Sequence, residues 1–187
     1  MVQLTQEQIK KNKSIFLQTN ATHNIIPQEL IDFLGEDFFT APASTSTSMH
    51  NACEGGLVDH ILSTAKFANK INKMLPEHMQ VPALSLYRIA FLFDIGKTFL
   101  FVPNQYEWSK KNGKIYEYSN NTASMRVGER SALYASRYMK LEEEEYQAII
   151  NSDREELETQ IKWFGSSLTI ILRQAIEWAI REQKSRV

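Results

Sequence analysis

Asp94 is the one carboxylate in the apolar run Ile89-Ala90-Phe91-Leu92-Phe93-Asp94-Ile95, which leads into Gly96 and Lys97. Taking an ionised carboxylate out of water is costly unless a metal, a cation or several hydrogen bonds hold it. Lys97 stands one helical turn beyond Asp94 and on the same side, so it is a ready cation. Of the four histidines, His23 and His78 lie in polar stretches and read as surface residues. His60 falls between Leu57 and Ile61 on an apolar stripe, and His50 comes just before the same segment. His50, His60 and Asp94 therefore make the one candidate cluster, since imidazole and carboxylate suit a divalent metal. The plainer reading is a hydrogen-bonded core histidine, with His60 and Asp94 paired to each other or Asp94 paired with Lys97. Other chemistries lack their residues. No glycine-rich phosphate loop follows a strand, no G-x-S-x-G elbow occurs, and the single Cys53 has no base at readable spacing.

The elements that must position these groups are mostly helical. Thr5 and Gln8 form a capping-box pattern for a helix from about residue 5 to residue 19. Pro27 opens a second helix, over Gln28 to Leu34, which Gly35 is expected to stop. Ala41 to Ser48, rich in Ala, Ser and Thr, reads as an extended loop that delivers His50 and Glu54-Gly55-Gly56 to a strong helix from Leu57 to Leu75. Pro76 and Pro82 bracket the loop before the helix expected to carry Asp94. The period changes between Phe99 and Ser119. There Tyr106-Glu107-Trp108 and Ile115 to Tyr118 flank Asn112-Gly113, the pattern of a β-hairpin. Helices are expected again from Glu129 to Met139, from the acidic run Glu142 to Glu145 on to Ile150, over residues 154–164, and from Ser167 to Glu182. The four acids suit the positive end of a helix and read as a solvated start.

Length and composition bound the answer. A chain of 187 residues is most simply one domain, residues 1–187, with N-terminal helices over 1–35 and the hairpin insertion at about 99–119. A net charge of −1 supplies no basic field for nucleic acid or an anionic membrane, although Lys110, Lys111 and Lys114 beside Tyr106, Trp108 and Tyr116 could act locally. More often such lysines keep a hairpin edge soluble. The first residues carry neither a charged leader nor an apolar signal core, and no apolar run reaches spanning length. With one cysteine there is no internal disulfide. A cytoplasmic protein with no membrane partner is the expectation.

Four ordered segments carry a family resemblance. They are Ala41-Pro42-Ala43-Ser44; His50 through Glu54-Gly55-Gly56-Leu57-Val58-Asp59-His60; Phe93-Asp94-Ile95-Gly96-Lys97; and Gly128-Glu129-Arg130-Ser131. Together they resemble the HD-domain metal-dependent phosphohydrolase superfamily, in particular the small HD proteins of phage and mobile elements. The likeness runs in element order from roughly residue 30 to residue 180. It implies a mainly α, HD-domain-like helical bundle with a small β-hairpin insertion. It also implies a reaction in which a divalent metal (Mn, Fe, Ni, Mg or Zn) lowers the pKa of bound water for attack on a phosphate ester.

Carried onto this chain residue by residue, the family's first histidine is His60 and the aspartate of its His-Asp pair is Asp94. The histidine of that pair is Phe93, the one before Gly128 is Val127, the one after the acidic helix is Ser152, and the distant aspartate falls at Ile176. Each departure removes a metal ligand and leaves a small or apolar side chain. The leading expectation is thus a degraded metal site in a non-catalytic binding or scaffolding domain, with no cofactor. The alternative is an active phosphohydrolase acting on a nucleotide or another phosphate ester. His60 and Asp94 would then hold metal with His50, Glu54 or Glu129 as substitutes, Asp94 and Lys97 would be catalytic, and Lys97, Glu129 and Arg130 would meet the substrate. A nucleic-acid or partner-binding module of a mobile element, using the aromatic hairpin, is a further alternative.

Overall fold

The computed structural model describes residues 3–153 and 165–185. Helix α1 (Gln6–His23) starts with the capping box foreseen at Thr5 and Gln8: the Thr5 hydroxyl accepts from the Gln8 N–H at 3.2 Å, and the Gln8 side chain accepts from the Thr5 N–H at 2.8 Å. Helix α2 (Gln28–Thr40) does not stop at Gly35. Gly35 takes φ 59° and ψ −158°, breaks the helical path for one residue, and the helix resumes. Only glycine visits that backbone region cheaply. Resumption is favoured because Phe38 and Phe39 beyond the kink are buried against Phe16.

Helix α3 (Gly56–Met74) is the centre of the bundle and packs against α1, α2, α4 (Ala83–Leu92) and α8 (Ser167–Lys184). Helices α6 (Val127–Ser136) and α7 (Glu143–Ile150) complete the far side. One continuous apolar core joins Phe16, Leu34, Leu57, Ile61, Ile89, Phe91, Ile149 and Leu172. Phe16 stacks on Phe91 with ring centroids 4.5 Å apart, tying the first helix to the segment that leads to Asp94. The chain is therefore a mainly α helical bundle with a small two-stranded antiparallel sheet. No helix among the described residues is long and apolar enough to cross a membrane. The helix expected over 154–164 lies outside the described residues.

The hairpin expectation needs correcting in register. Strand β1 (Phe101–Pro103) pairs with β2 (Tyr116–Tyr118), Phe101 opposite Tyr118. Between them Glu107–Lys111 forms the short helix α5, and Asn112-Gly113 closes that helix rather than a two-residue hairpin turn. The Ala/Ser/Thr loop supplies the other edge of β2: Thr45 C=O accepts from the Tyr116 N–H at 3.1 Å, and the Thr47 N–H donates to Gly113 C=O at 2.8 Å. Its composition hid this pairing because the contacts are backbone to backbone. The acidic run is also only partly solvated. Glu142, Glu143 and Glu144 are exposed, but Glu145 is buried and meets Arg88 at 3.4 Å.

Candidate functional site

Asp94 does not sit in a helix. Helix α4 ends at Leu92, and Asp94 heads a tight 3₁₀ turn over Ile95–Lys97 in which the Lys97 N–H donates to Asp94 C=O at 3.0 Å. The turn is stitched at both ends by one hydroxyl from α6. Ser131 Oγ donates to Phe93 C=O at 2.8 Å and accepts from the Gly96 N–H at 2.9 Å. A hydroxyl can do both at once, having one donor and two acceptor lone pairs. Gly96 is required for that approach, because a Cβ there would lie 2.7 Å from the Val127 carbonyl oxygen and 2.9 Å from the Ser131 nitrogen. The Asp-Ile-Gly-Lys motif thus encodes a turn that lets α6 press against it.

Lys97 Nζ donates to Asp94 Oδ2 at 2.7 Å, and both side chains are largely buried. His60, 1% exposed on α3, has its Nε2 3.9 Å from the same carboxylate oxygen. Its Nδ1 faces Gln183 Oε1 at 3.1 Å. Gln183 in turn points its amide nitrogen at Asp59 Oδ2, 3.4 Å away, and Asp59 also accepts from Asn51 Nδ2 at 2.8 Å and Asn12 Nδ2 at 3.2 Å. A carboxylate only accepts, so the glutamine nitrogen belongs on the Asp59 side and its oxygen on the His60 side. His60 must then carry its proton on Nδ1, and Nε2 presents a bare lone pair toward Asp94.

His50 closes the group. The loop holding it is pinned where Ser44 Oγ donates to His50 C=O at 2.6 Å and the Ala43 N–H donates to Asn51 C=O at 3.0 Å. Its ring lies 4.4 Å from that of His60, centroid to centroid. His50 Nε2 is buried and has no hydrogen-bond partner among the described residues. Burial first, and the charge of Lys97 after it, push the His60 pKa down from 6.5 to about 3, against the Gln183 hydrogen bond. Burial, then His60 and Lys97, hold His50 down at about 2, with Asp94 opposing. Both rings are neutral at neutral pH, so the 3.9 Å contact between His60 and Asp94 is not an ion pair. The ion pair belongs to Lys97.

The other sequence-derived positions fall as follows. Phe93, 2% exposed, meets His60 edge to face at 5.6 Å, which fills the place beside Asp94 with apolar ring. Val127 abuts the turn through its backbone oxygen. Ser152 donates to Ile149 C=O at 2.8 Å, and Ile176 is partly buried against the core. Arg130 is buried, its guanidinium donates to Ala123 C=O, and its Nε has no partner among the described residues. Glu54 is exposed and bonded to Gln6 Nε2 at 3.3 Å, and Glu129 is half-buried.

His50, His60, Phe93, Asp94 and Lys97 therefore come together. Sequence reasoning missed Gln183. Its signal was present, because Leu168, Leu172, Ala175 and Ala179 make a buried stripe on α8 that reaches Gln183 at the next helical step.

No family model, curated protein or solved structure matches the chain. The family resemblance rests on the motifs themselves.

A divalent metal can be tested against this donor set. Two of its donors, His60 Nε2 and Asp94 Oδ2, are spaced for one ion, since bonds of about 2.0–2.2 Å to each span at most roughly 4.3 Å. Asp94 is already answered by an ammonium, however. Among the described residues no three His, Cys, Asp or Glu side chains are arranged as a metal-holding group. As they stand, these residues do not fit a resident catalytic metal, which needs three protein ligands and an open position.

Proposed function

We propose that the chain is a non-catalytic binding or scaffolding domain on an HD-like helical frame, in which an internal ion pair has replaced the metal. The observation that carries this reading is the 2.7 Å contact between Lys97 Nζ and Asp94 Oδ2. The carboxylate that the resemblance assigns to metal has its counter-charge within the chain, and Phe93 beside it cannot coordinate an ion. Truncated or apolar side chains at Val127, Ser152 and Ile176 support the same reading. So does the economy of burial: polar groups left in a core without partners are expensive, so a site that no longer binds metal is expected to become apolar or internally paired. A binding role is supported by the insertion, where Tyr106, Trp108 and Tyr118 are 67–75% exposed. A cytoplasmic setting belongs to this reading and is supported by the single cysteine.

Metal analysis of the purified protein, together with a panel of nucleotides and phosphate esters in the presence of Mn, Fe, Ni, Mg or Zn, tests it. The expected result is substoichiometric metal and no hydrolysis. Stoichiometric metal that Asp94→Ala removes, or hydrolysis that Asp94→Ala abolishes, would put a metal-dependent phosphohydrolase in its place.

A further inference from the structure

We propose that the insertion between β1 and β2 is a platform for a single-stranded polynucleotide, on which Tyr106, Trp108 and Tyr118 stack against bases while Lys111 and Lys114 meet phosphates. The inference rests on the binding role just proposed and names its partner.

The rings are held out into water by a braced backbone. Asn104, 6% exposed, anchors the exit from β1: its N–H donates to Ile115 C=O at 3.0 Å, and its Oδ1 accepts from the Tyr106 N–H at 2.9 Å. The Asn112 side chain donates to Trp108 C=O at 2.8 Å, and the Lys114 N–H donates to Ser109 C=O at 3.0 Å, which closes α5 back toward β2. The Thr47 and Thr45 bonds to Gly113 and Tyr116 tie this unit to the bundle. All of these bonds use backbone and amide atoms, so the Tyr106 and Trp108 rings are not what holds the insertion. Tyr118 leans edge-on against Phe101, centroids 5.3 Å apart, and stays 67% exposed. Exposed rings in a fixed frame contribute their apolar area only when a partner covers them, and a frame already ordered loses little freedom on binding.

The charge around the rings is local and positive. Residues 101–126 carry four cations and two carboxylates, in a chain whose net charge is −1. Lys110 answers Glu107 at 2.7 Å. Glu117 stands opposite Val102, on the face of the sheet away from the Phe101–Tyr118 pair, because neighbours along a strand point to opposite sides. Lys111 and Lys114 are exposed and, among the described residues, enter no ion pair. Lys111 follows Trp108 by three positions on α5, so ammonium and ring share a side. Flat rings beside unpaired cations match a polymer with exposed π-faces and regular negative charge, which is an unpaired nucleic-acid strand. A lipid surface matches less well. Glu107 lies between Tyr106 and Trp108, and Glu117 between Tyr116 and Tyr118, so carboxylates would have to enter the membrane interface with the rings.

Fluorescence anisotropy of a labelled single-stranded oligo(dT) of about 15 nucleotides, titrated with the full chain over a series of KCl concentrations, is the test. Wild type is expected to bind it more tightly than a dA·dT duplex of the same length, whose base faces are stacked on one another. Trp108→Ala should weaken binding about five- to 150-fold, the scale of one base on one ring, and Trp108→Phe should restore most of it. Lys111→Gln combined with Lys114→Gln should weaken binding and flatten the slope of log K against log salt by roughly 0.7 for each charge removed. Circular dichroism melts check that each variant is folded, and Tyr106→Ala repeats the measurement on a second ring should Trp108→Ala fail to fold.

No binding of the strand by wild type at low salt would overturn the proposal and leave the non-catalytic reading standing. Binding that survives both Trp108→Ala and Tyr106→Ala, or that prefers the duplex, would overturn it as attraction of charge without stacking. Vesicles of phosphatidylserine and phosphatidylcholine that bind the chain through Trp108, with no binding of the strand, would overturn it in favour of a membrane surface. Cleavage of the bound strand in Mn²⁺ that Asp94→Ala abolishes would overturn the non-catalytic reading, while binding that Trp108→Ala weakens would still support the platform.

Discussion

The buried end of α3 and the insertion between β1 and β2 use similar residue types to opposite ends. Around His60 the aromatic ring of Phe93 is 2% exposed, Asp94 is 5% exposed, and most polar atoms are answered within the chain. In the insertion, Trp108 is 75% exposed, and Lys110 pairs with its neighbour Glu107 at 2.7 Å on the surface. An ion pair at the first place is held in a dry setting, where losing one partner strands a charge. At the second, water replaces whatever is lost. The motif residues around His60 are tied into the core, whereas the aromatic rings of the insertion face water.

The contrast can be broken by mutation, beginning where the largest effect is expected. Asp94→Ala leaves the Lys97 ammonium buried beside neutral histidines and should cost about 3–5 kcal/mol in chemical denaturation. A loss under ~1 kcal/mol, the surface scale, would erase the distinction. Ser131→Ala removes the hydroxyl that ties Phe93 to Gly96 and should cost about 1–3 kcal/mol, because it strands a buried N–H and a buried C=O. A silent substitution would show that the turn holds without α6.

The histidines give the pH arm of the same comparison. Both folded pKa values lie below the unfolded 6.5, at about 3 for His60 and about 2 for His50. Below pH 6.5 the unfolded chain therefore binds protons that the folded chain refuses. Their contribution is complete above that pH and is lost as pH falls toward 3. The slope is at most about 1.4 kcal/mol per pH unit for each ring. Denaturation midpoints measured from pH 7 to pH 4 should fall accordingly, and His60→Gln should flatten the curve relative to wild type. An unchanged slope would mean His60 is not held neutral. The smallest effect belongs to the insertion: Trp108→Ala should change stability by no more than about 0.5 kcal/mol. A larger loss in a thermal melt would show that the exposed ring is structural.

Much of this was legible along the chain. His60 between Leu57 and Ile61 was placed on the inward stripe, and Asp94 was expected to need a partner, with Lys97, His60 or a metal as candidates, because both inferences need only local spacing and the cost of burying charge. The capping box at Thr5 and the helical character of most segments followed from equally local signals. The insertion was harder. Tyr106 and Trp108 carry strand-like composition, yet the segment from Glu107 forms a helical turn while Phe101 to Pro103 takes the pairing. Pairing of the Ala/Ser/Thr loop with β2 runs through backbone atoms that have no side-chain signature. Gly35 looked like a stop, but the buried rings of Phe38 and Phe39 carry the helix past it.

What the sequence by itself determined is the inventory: one acid in an apolar run, a lysine within reach, two histidines around one helix start, and a phenylalanine, Phe93, next to the acid. Only the tertiary structure decided the partners. Gln183 reaches His60 across 123 positions of chain, Ser131 reaches Gly96 across 35, and Asp59 gathers Asn12, Asn51 and Gln183. These contacts fix which nitrogen of His60 is protonated and brace the turn that carries Asp94. No local rule contains them, because they arise from helices packing side by side, and that packing is set by the whole apolar core at once.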